Sequence, residues 1–179
     1  MGGTVPSLLL AAISVAVFGG LFTASGSPPA EASALARSAS HKPALPKLPT
    51  HSGQGRRIVF DQSEQRVWLV AADGKIERSY LVSGSNRDNV RPGSYQVNSR
   101  TRYARAYKGS GTFEYFVRFT QGRNAPIGFH SVTAKQGELV YAREDLGTAR
   151  TPGCVEQWRN DAKALWEFAP VGTRVEVTA

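Results

Sequence analysis

The sequence predicts a mainly β domain, sandwich-like or a partly open barrel, carrying a single helix. Three observations point there. Short β-rich runs recur between residues 57 and 132, separated by polar turns or by Gly and Pro. Apolar residues fall at helical spacing in one segment only, 155–168. A further alternating run, 173–177, follows that helix. The balance is roughly seven or eight strands to one helix.

In order, residues 58–60 form a first strand and 61–65 a polar turn, and 66–70 is again β-rich. Residues 71–75 contain Asp73-Gly74, a hairpin signal, before a third strand over 76–82, so the three make a meander. A polar loop covers 83–89, Pro92-Gly93 turns the chain, and 94–98 alternates as a strand. Arg100, Arg102, Arg105 and Lys108 are interleaved with Tyr103 and Tyr107; this reads as a solvated loop or the rim of a substrate cleft. Bases beside aromatics also suit single-stranded nucleic acid. No nucleic-acid-binding signature accompanies them, and no nucleic-acid partner is expected. Residues 113–119 and 127–132 are strands, and 137–148 is a loop with one apolar patch, Leu139-Val140-Tyr141. In the helix, Val155, Trp158, Ala162, Leu165 and Trp166 share a face, and Pro170 and Gly172 end it.

The 179 residues suit one domain plus an appendage. Residues 5–21 are almost wholly apolar or small, which predicts a signal peptide or a membrane anchor within residues 1–25. Residues 26–55, rich in Pro, Ala and Ser, read as an extended linker, and 56–179 as the domain. Export is expected, to the periplasm or the extracellular face of the membrane, with the N-terminal segment either cleaved or kept in contact with the membrane. Net charge is +8, and the 19 Lys+Arg against 13 Asp+Glu from Arg56 onward leave +6 on the domain. That favours an anionic partner such as a carboxylate-rich polymer, or simply keeps the protein soluble. A monomer is expected.

The domain holds one thiol, Cys154, and one imidazole, His130; the other two histidines lie in the linker. A thiol becomes a strong nucleophile as thiolate, and a nearby imidazole is the usual means of making it one. Gly153 lets the backbone approach a substrate and turn N–H groups toward an oxyanion. The competing reading is a small buried Cys and a hydrogen-bonded structural His. The predicted helix would begin just after Cys154, where its dipole also favours thiolate. No Cys/His spacing suits zinc, and no cofactor is expected.

Ile127-Gly128-Phe129-His130-Ser131, followed after a loop by Thr151-Pro152-Gly153-Cys154-Val155, resembles the signature of the L,D-transpeptidase catalytic domain. Arg91-Pro92-Gly93-Ser94-Tyr95, Asn160-Asp161-Ala162 and residues 171–175 resemble further parts of it. The resemblance implies a β-sandwich with one helix after the Cys. It implies a Cys154 nucleophile that takes the acyl group of a peptidoglycan stem peptide and passes it to an amine of a neighbouring stem. On that pattern His130 is the general base, supported by Ser131 through its carbonyl or hydroxyl. Gly153 and the Cys154 N–H form the oxyanion site, Gly128 and Thr151 line it, and a carbapenem acylates Cys154. Two positions depart from the pattern: Pro152 replaces its second His, and Glu156 replaces an Arg. Arg150 or Arg159 could supply the missing cation. Glu156 would either face the thiol and raise its pKa, or point to solvent on the first helical turn. A wall-peptide-binding module without turnover, or a thiol hydrolase of wall peptides, stays open beside the transferase.

Overall fold

A computed structural model describes residues 45–109 and 111–179. The membrane or signal segment and residues 26–44 of the expected linker lie outside the described residues. Strands β1 (Arg57–Asp61), β2 (Arg66–Val70) and β3 (Ile76–Leu81) form the predicted meander. Strand β4 (Gly93–Gln96) follows the Pro92-Gly93 turn, where Gly93 takes φ +153°. With β11 (Arg174–Thr178) these build a five-stranded sheet in the order β3-β2-β1-β11-β4. β11 is parallel to β1 and antiparallel to β4.

The second sheet contains β5 (Ser99–Arg105), β6 (Thr112–Gln121), β7 (Pro126–Ser131), β8 (Ala134–Lys135), β9 (Glu138–Leu139) and β10 (Val155–Gln157). Its order is β10-β7-β6-β8-β9, with β5 also paired to β6. Ile58, Phe60, Val67, Leu69, Val175 and Val177 of the first sheet meet Val117, Phe119, Ile127, Phe129 and Val155 of the second. This is the predicted sandwich: one inward face from each sheet, interdigitated. Helix α1 (Arg159–Phe168) adds Leu165 and Phe168 to that core. Buried Asp161, in its first turn, accepts a forked ion pair from Arg78 at 2.9 and 2.6 Å.

Three expectations change. The helix begins at Arg159, not Val155, because residues 155–157 pair with β7 and are fully enclosed. Burial of three successive residues hides the strand's alternation and mimics one end of a helical stripe. Residues 99–105 form a strand rather than a loop. Arg100 lies over the Trp166 ring at 3.9 Å and Arg102 over Tyr115 at 3.6 Å, so guanidinium stems take positions the hydropathy pattern assigns to solvent. Residues 45–55 have no helix or strand, as expected of a linker, but they lie against the first sheet. Trp68 Nε1 donates to the Pro46 carbonyl at 3.0 Å and Leu48 packs on Val59, Trp68 and Val70. That covers the sheet's second face and leaves β1 buried on both sides.

Candidate active site

Strand β7 sets the site. Ile127 and Phe129 enter the core, so Gly128 and His130 face the opposite side of the sheet. β10 runs parallel to β7, with Val155 opposite Phe129 and Glu156 opposite His130. Cys154, one residue earlier, is therefore level with Gly128 and on the His130 side. Across β7, Arg118 of β6 pairs with Gly128. Cys154, Gly128 and Arg118 form a row over three neighbouring strands.

The Cys154 sulfur is within hydrogen-bonding reach of the His130 imidazole. His130 Nδ1 donates to the Ser131 carbonyl at 2.7 Å, which leaves Nε2 as the nitrogen for the sulfur. The ring is buried, stacked on Phe113 (centroids 3.8 Å apart, planes at 18°) and met edge-on by Phe116 at 5.4 Å. Burial alone pushes the thiol pKa up. The His130 hydrogen bond and charge, with the Gly128 N–H, outweigh it and hold Cys154 below the ordinary thiol value. Burial also pushes His130 down, yet the thiolate, the Glu156 carboxylate and the Ser131 carbonyl hold it above its ordinary value. Both shifts favour a thiolate–imidazolium pair.

The loop before the sulfur is pinned. Thr151 Oγ1 donates to the Cys154 carbonyl at 2.5 Å and accepts the Gly153 N–H at 3.2 Å. The Thr151 carbonyl accepts the Asn86 N–H, and Asn89 Nδ2 donates to the Pro152 carbonyl. Pro152 thus keeps the one backbone group the turn uses, its carbonyl.

Gly128 has no room for a side chain. A Cβ there would sit 2.3 Å from the Val117 carbonyl oxygen and 2.7 Å from Arg118 Cα, both backbone atoms. Gly128→Ala is expected to cost about 3 kcal/mol or more, at or above the upper end for overpacking, since strands rather than side chains must shift. A denaturant midpoint equal to that of the parent would refute this.

A sequence model of the L,D-transpeptidase catalytic domain (YkuD) matches residues 55–177. The chain belongs to the L,D-transpeptidase catalytic-domain family. Its fold is similar to an L,D-transpeptidase of Stackebrandtia nassauensis, at 21% identity and TM-score 0.57 over 77% of this chain and 62% of that one. It is similar to an L,D-transpeptidase of Mycobacterium smegmatis at 17% identity and TM-score 0.57, covering 71% and 60%. It also resembles L,D-transpeptidase 3 of Mycobacterium tuberculosis, solved with a faropenem-derived adduct, at 19% identity and TM-score 0.53, covering 71% and 61%. The chain spans about three fifths of the length of each of these. No curated protein matches it.

Within this family the site departs from expectation in four places. The Gly153 N–H, expected to serve the oxyanion, is donated to Thr151 Oγ1 at 3.2 Å instead. Cys154 precedes a strand, not a helix, so no helix dipole acts on it and His130 is the group that favours thiolate. Glu156 neither faces solvent nor sits on a helix. It is 6% exposed on β10 and accepts hydrogen bonds from Thr133 Oγ1 at 2.5 Å and from the Tyr141 hydroxyl. Its charge still reaches the thiol and opposes ionisation. Arg150 pairs with Asp145 at 3.2 Å and Arg159 with Glu114 at 3.0 Å, so neither replaces the missing cation. Arg118 of β6 is level with Gly128, but its guanidinium donates to Thr101 Oγ1 at 2.8 Å on β5, the strand on the other edge of β6 from β7. Burial lowers its pKa and the thiolate charge opposes that.

Ser131 contributes its carbonyl to His130, while its hydroxyl accepts the Glu114 N–H at 2.9 Å and ties β7 to β6. Beside it opens a cleft of about 760 Å³ lined by Tyr103, Phe113, Glu114, Leu139, Trp158 and Arg159. Phe113 separates that cleft from the imidazole.

Proposed function

We propose that the chain is a cysteine acyltransferase, an L,D-transpeptidase acting on peptidoglycan stem peptides in wall cross-linking or remodelling. The observation that carries this is the buried imidazole whose Nδ1 is committed to Ser131 and whose other nitrogen faces the one thiol of the chain. The Cys154 thiolate attacks a stem-peptide carbonyl. The tetrahedral oxyanion is met by the Cys154 N–H, with Gly153 held in place by Thr151. Collapse breaks the amide, and the departing amine takes the imidazolium proton, leaving a thioester. An amine of a second stem then attacks the thioester, gives its proton to His130 and restores the thiolate. The apolar segment at 5–21 and the Pro-rich stretch behind it support export, with the domain working at the wall on the outer side of the membrane.

Incubation with a carbapenem tests the nucleophile. The intact mass should rise by one carbapenem, the adduct should map to Cys154, and Cys154→Ala should show none. A chain whose mass stays unchanged, with the thiol free, would overturn the reading. Products from paired stem peptides then separate transfer from hydrolysis: a joined peptide supports the transferase, and a shortened donor alone refutes it.

A further inference from the structure

We propose that Tyr115 is a positioning residue of this site: its left-handed backbone turns two phenylalanines of β6 onto His130 and so aims Nε2 at the Cys154 sulfur. Four non-glycine residues among those described have left-handed φ. His51, Gln65 and Gln136 lie in turns, whereas Tyr115, at φ +60°, lies inside a strand. A bulky side chain in that conformation persists only where its surroundings impose it, and such residues gather at functional sites. β6 keeps one register with β5 on both sides of Tyr115, with Tyr103 opposite Glu114 and Thr101 opposite Phe116, so no residue has been inserted.

The consequence falls on the imidazole. Along a regular strand, residues three apart point to opposite faces. Counted from Val117, which enters the core, Phe116 belongs on the His130 side and Phe113 on the core side. Both rings nevertheless meet His130. Phe113 is stacked on it at 3.8 Å with planes 18° apart, and Phe116 meets it edge-on at 5.4 Å. The two phenylalanines pair edge-to-face with each other at 5.1 Å and 90°. Tyr115 is the break in alternation between them, and it is what brings Phe113 over. Phe116 reaches the ring across Gly128, where a Cβ would come within 2.8 Å of it. The Ser131 carbonyl fixes Nδ1, and two aromatic walls at right angles then fix the plane of the ring.

The kink is held from its other side as well. The Glu114 N–H, one residue earlier, donates to Ser131 Oγ at 2.9 Å, so one serine ties down both the kink and the imidazole. The Glu114 carboxylate takes Arg102 at 2.6 Å and Arg159 at 3.0 Å. Arg102 lies over the buried Tyr115 ring at 3.6 Å, and Trp166 of α1 meets that ring at 6.2 Å. These contacts offset the strain of the backbone. The inference deepens the transferase reading, since it names what aims the base of that mechanism.

The test follows iodoacetamide alkylation of Cys154 against pH in the full chain, for Tyr115→Gly and Tyr115→Val. Both delete the ring. Glycine adopts positive φ freely, whereas a β-branched residue strongly disfavours it. Neither the thiol nor the imidazole draws a charge from Tyr115, so a moved midpoint reports where the imidazole sits. Tyr115→Val should raise the midpoint by about one unit or more, a loss of about tenfold in thiolate below it, as the His130 hydrogen bond is lost. Tyr115→Gly should stay within about 0.3 unit of wild type. A wild-type midpoint in folded Tyr115→Val overturns the proposal, and so does a midpoint in Tyr115→Gly that rises as far as in Tyr115→Val. Should either variant fail to fold, Phe113→Leu decides: an imidazole without its stacked wall should raise the midpoint by at least about half a unit, and an unchanged midpoint overturns the proposal. Alkylation needs no transferase activity. The expected midpoints in a chain that no carbapenem acylates would refute the proposed function and leave Tyr115 standing, while acylation with an unmoved Tyr115→Val midpoint would refute Tyr115 alone.

Discussion

Replacing His130 with Gln should cut Cys154 alkylation at neutral pH by at least about tenfold and acyl transfer by about three to five orders of magnitude. The sign follows from the two opposed shifts. The thiol is held below its ordinary value, so thiolate is present above that lowered pKa and lost as pH falls through it. The imidazole is held above its ordinary value, so imidazolium is present below that raised pKa and lost as pH rises through it. Both shifts raise the share of the reactive ion pair at neutral pH. Gln can still donate to the Ser131 carbonyl but carries no charge. Burial and Glu156, both of which raise the thiol pKa, then act without the His130 hydrogen bond and charge. The midpoint of the iodoacetamide profile should move from below the ordinary value of about 8.5 to above it. Each pKa unit removes about tenfold of the thiolate below the pKa, and loss of the general base removes about 10²–10⁴ more in transfer. A midpoint that stays where it is would mean the imidazole does not hold the thiolate.

Glu156→Arg, the change that would restore the family pattern, should instead unfold the domain more easily, by about 3–5 kcal/mol. The carboxylate is an acceptor enclosed by two hydroxyl donors, Thr133 and Tyr141. Burial beside that carboxylate pushes the Tyr141 pKa far up, so the phenol keeps its proton and keeps donating. A guanidinium offers only donors to those same hydroxyls and places an unpaired cation beside the imidazolium. The urea midpoint should fall by about 1 M or more at an unchanged slope. Parent-like stability would show that the position opens to solvent. Glu156 also joins residues 133 and 141, on either side of β8 and β9, to the strand after the nucleophile. Its loss should therefore loosen the segment around Tyr141 as well.

Much of the fold was legible from local pattern. The meander 57–82 declares itself through β-rich runs and Asp73-Gly74, and β6, β7 and β11 through alternation. That the thiol and imidazole meet was legible from scarcity, since the domain has one of each. What stayed hidden depends on partners far along the chain. β10 reads as the start of a helix because a strand enclosed on both faces shows no alternation. β5 reads as a loop because its arginines are covered by Trp166 and Tyr115, which nothing local announces. Glu156 was singled out from the sequence, but whether it faces the thiol or solvent stayed open there, because register between β7 and β10 decides it and not distance in sequence.

The parallel pairing of β1 with β11 has a consequence for how the domain comes into being. β11 fills the slot between β1 and β4, so the first sheet stays in two pieces until residues 174–178 arrive. A chain emerging N-terminus first can close the β1–β3 meander on its own, but it leaves the inner edge of β1 with open N–H and C=O groups. Loop closure over more than a hundred residues must then precede the last ladder, which marks this as a slow, late step. Until then the chain carries an unfinished, adhesive strand edge, and Cys154, which precedes β10 of the other sheet, belongs to a domain whose scaffold locks last.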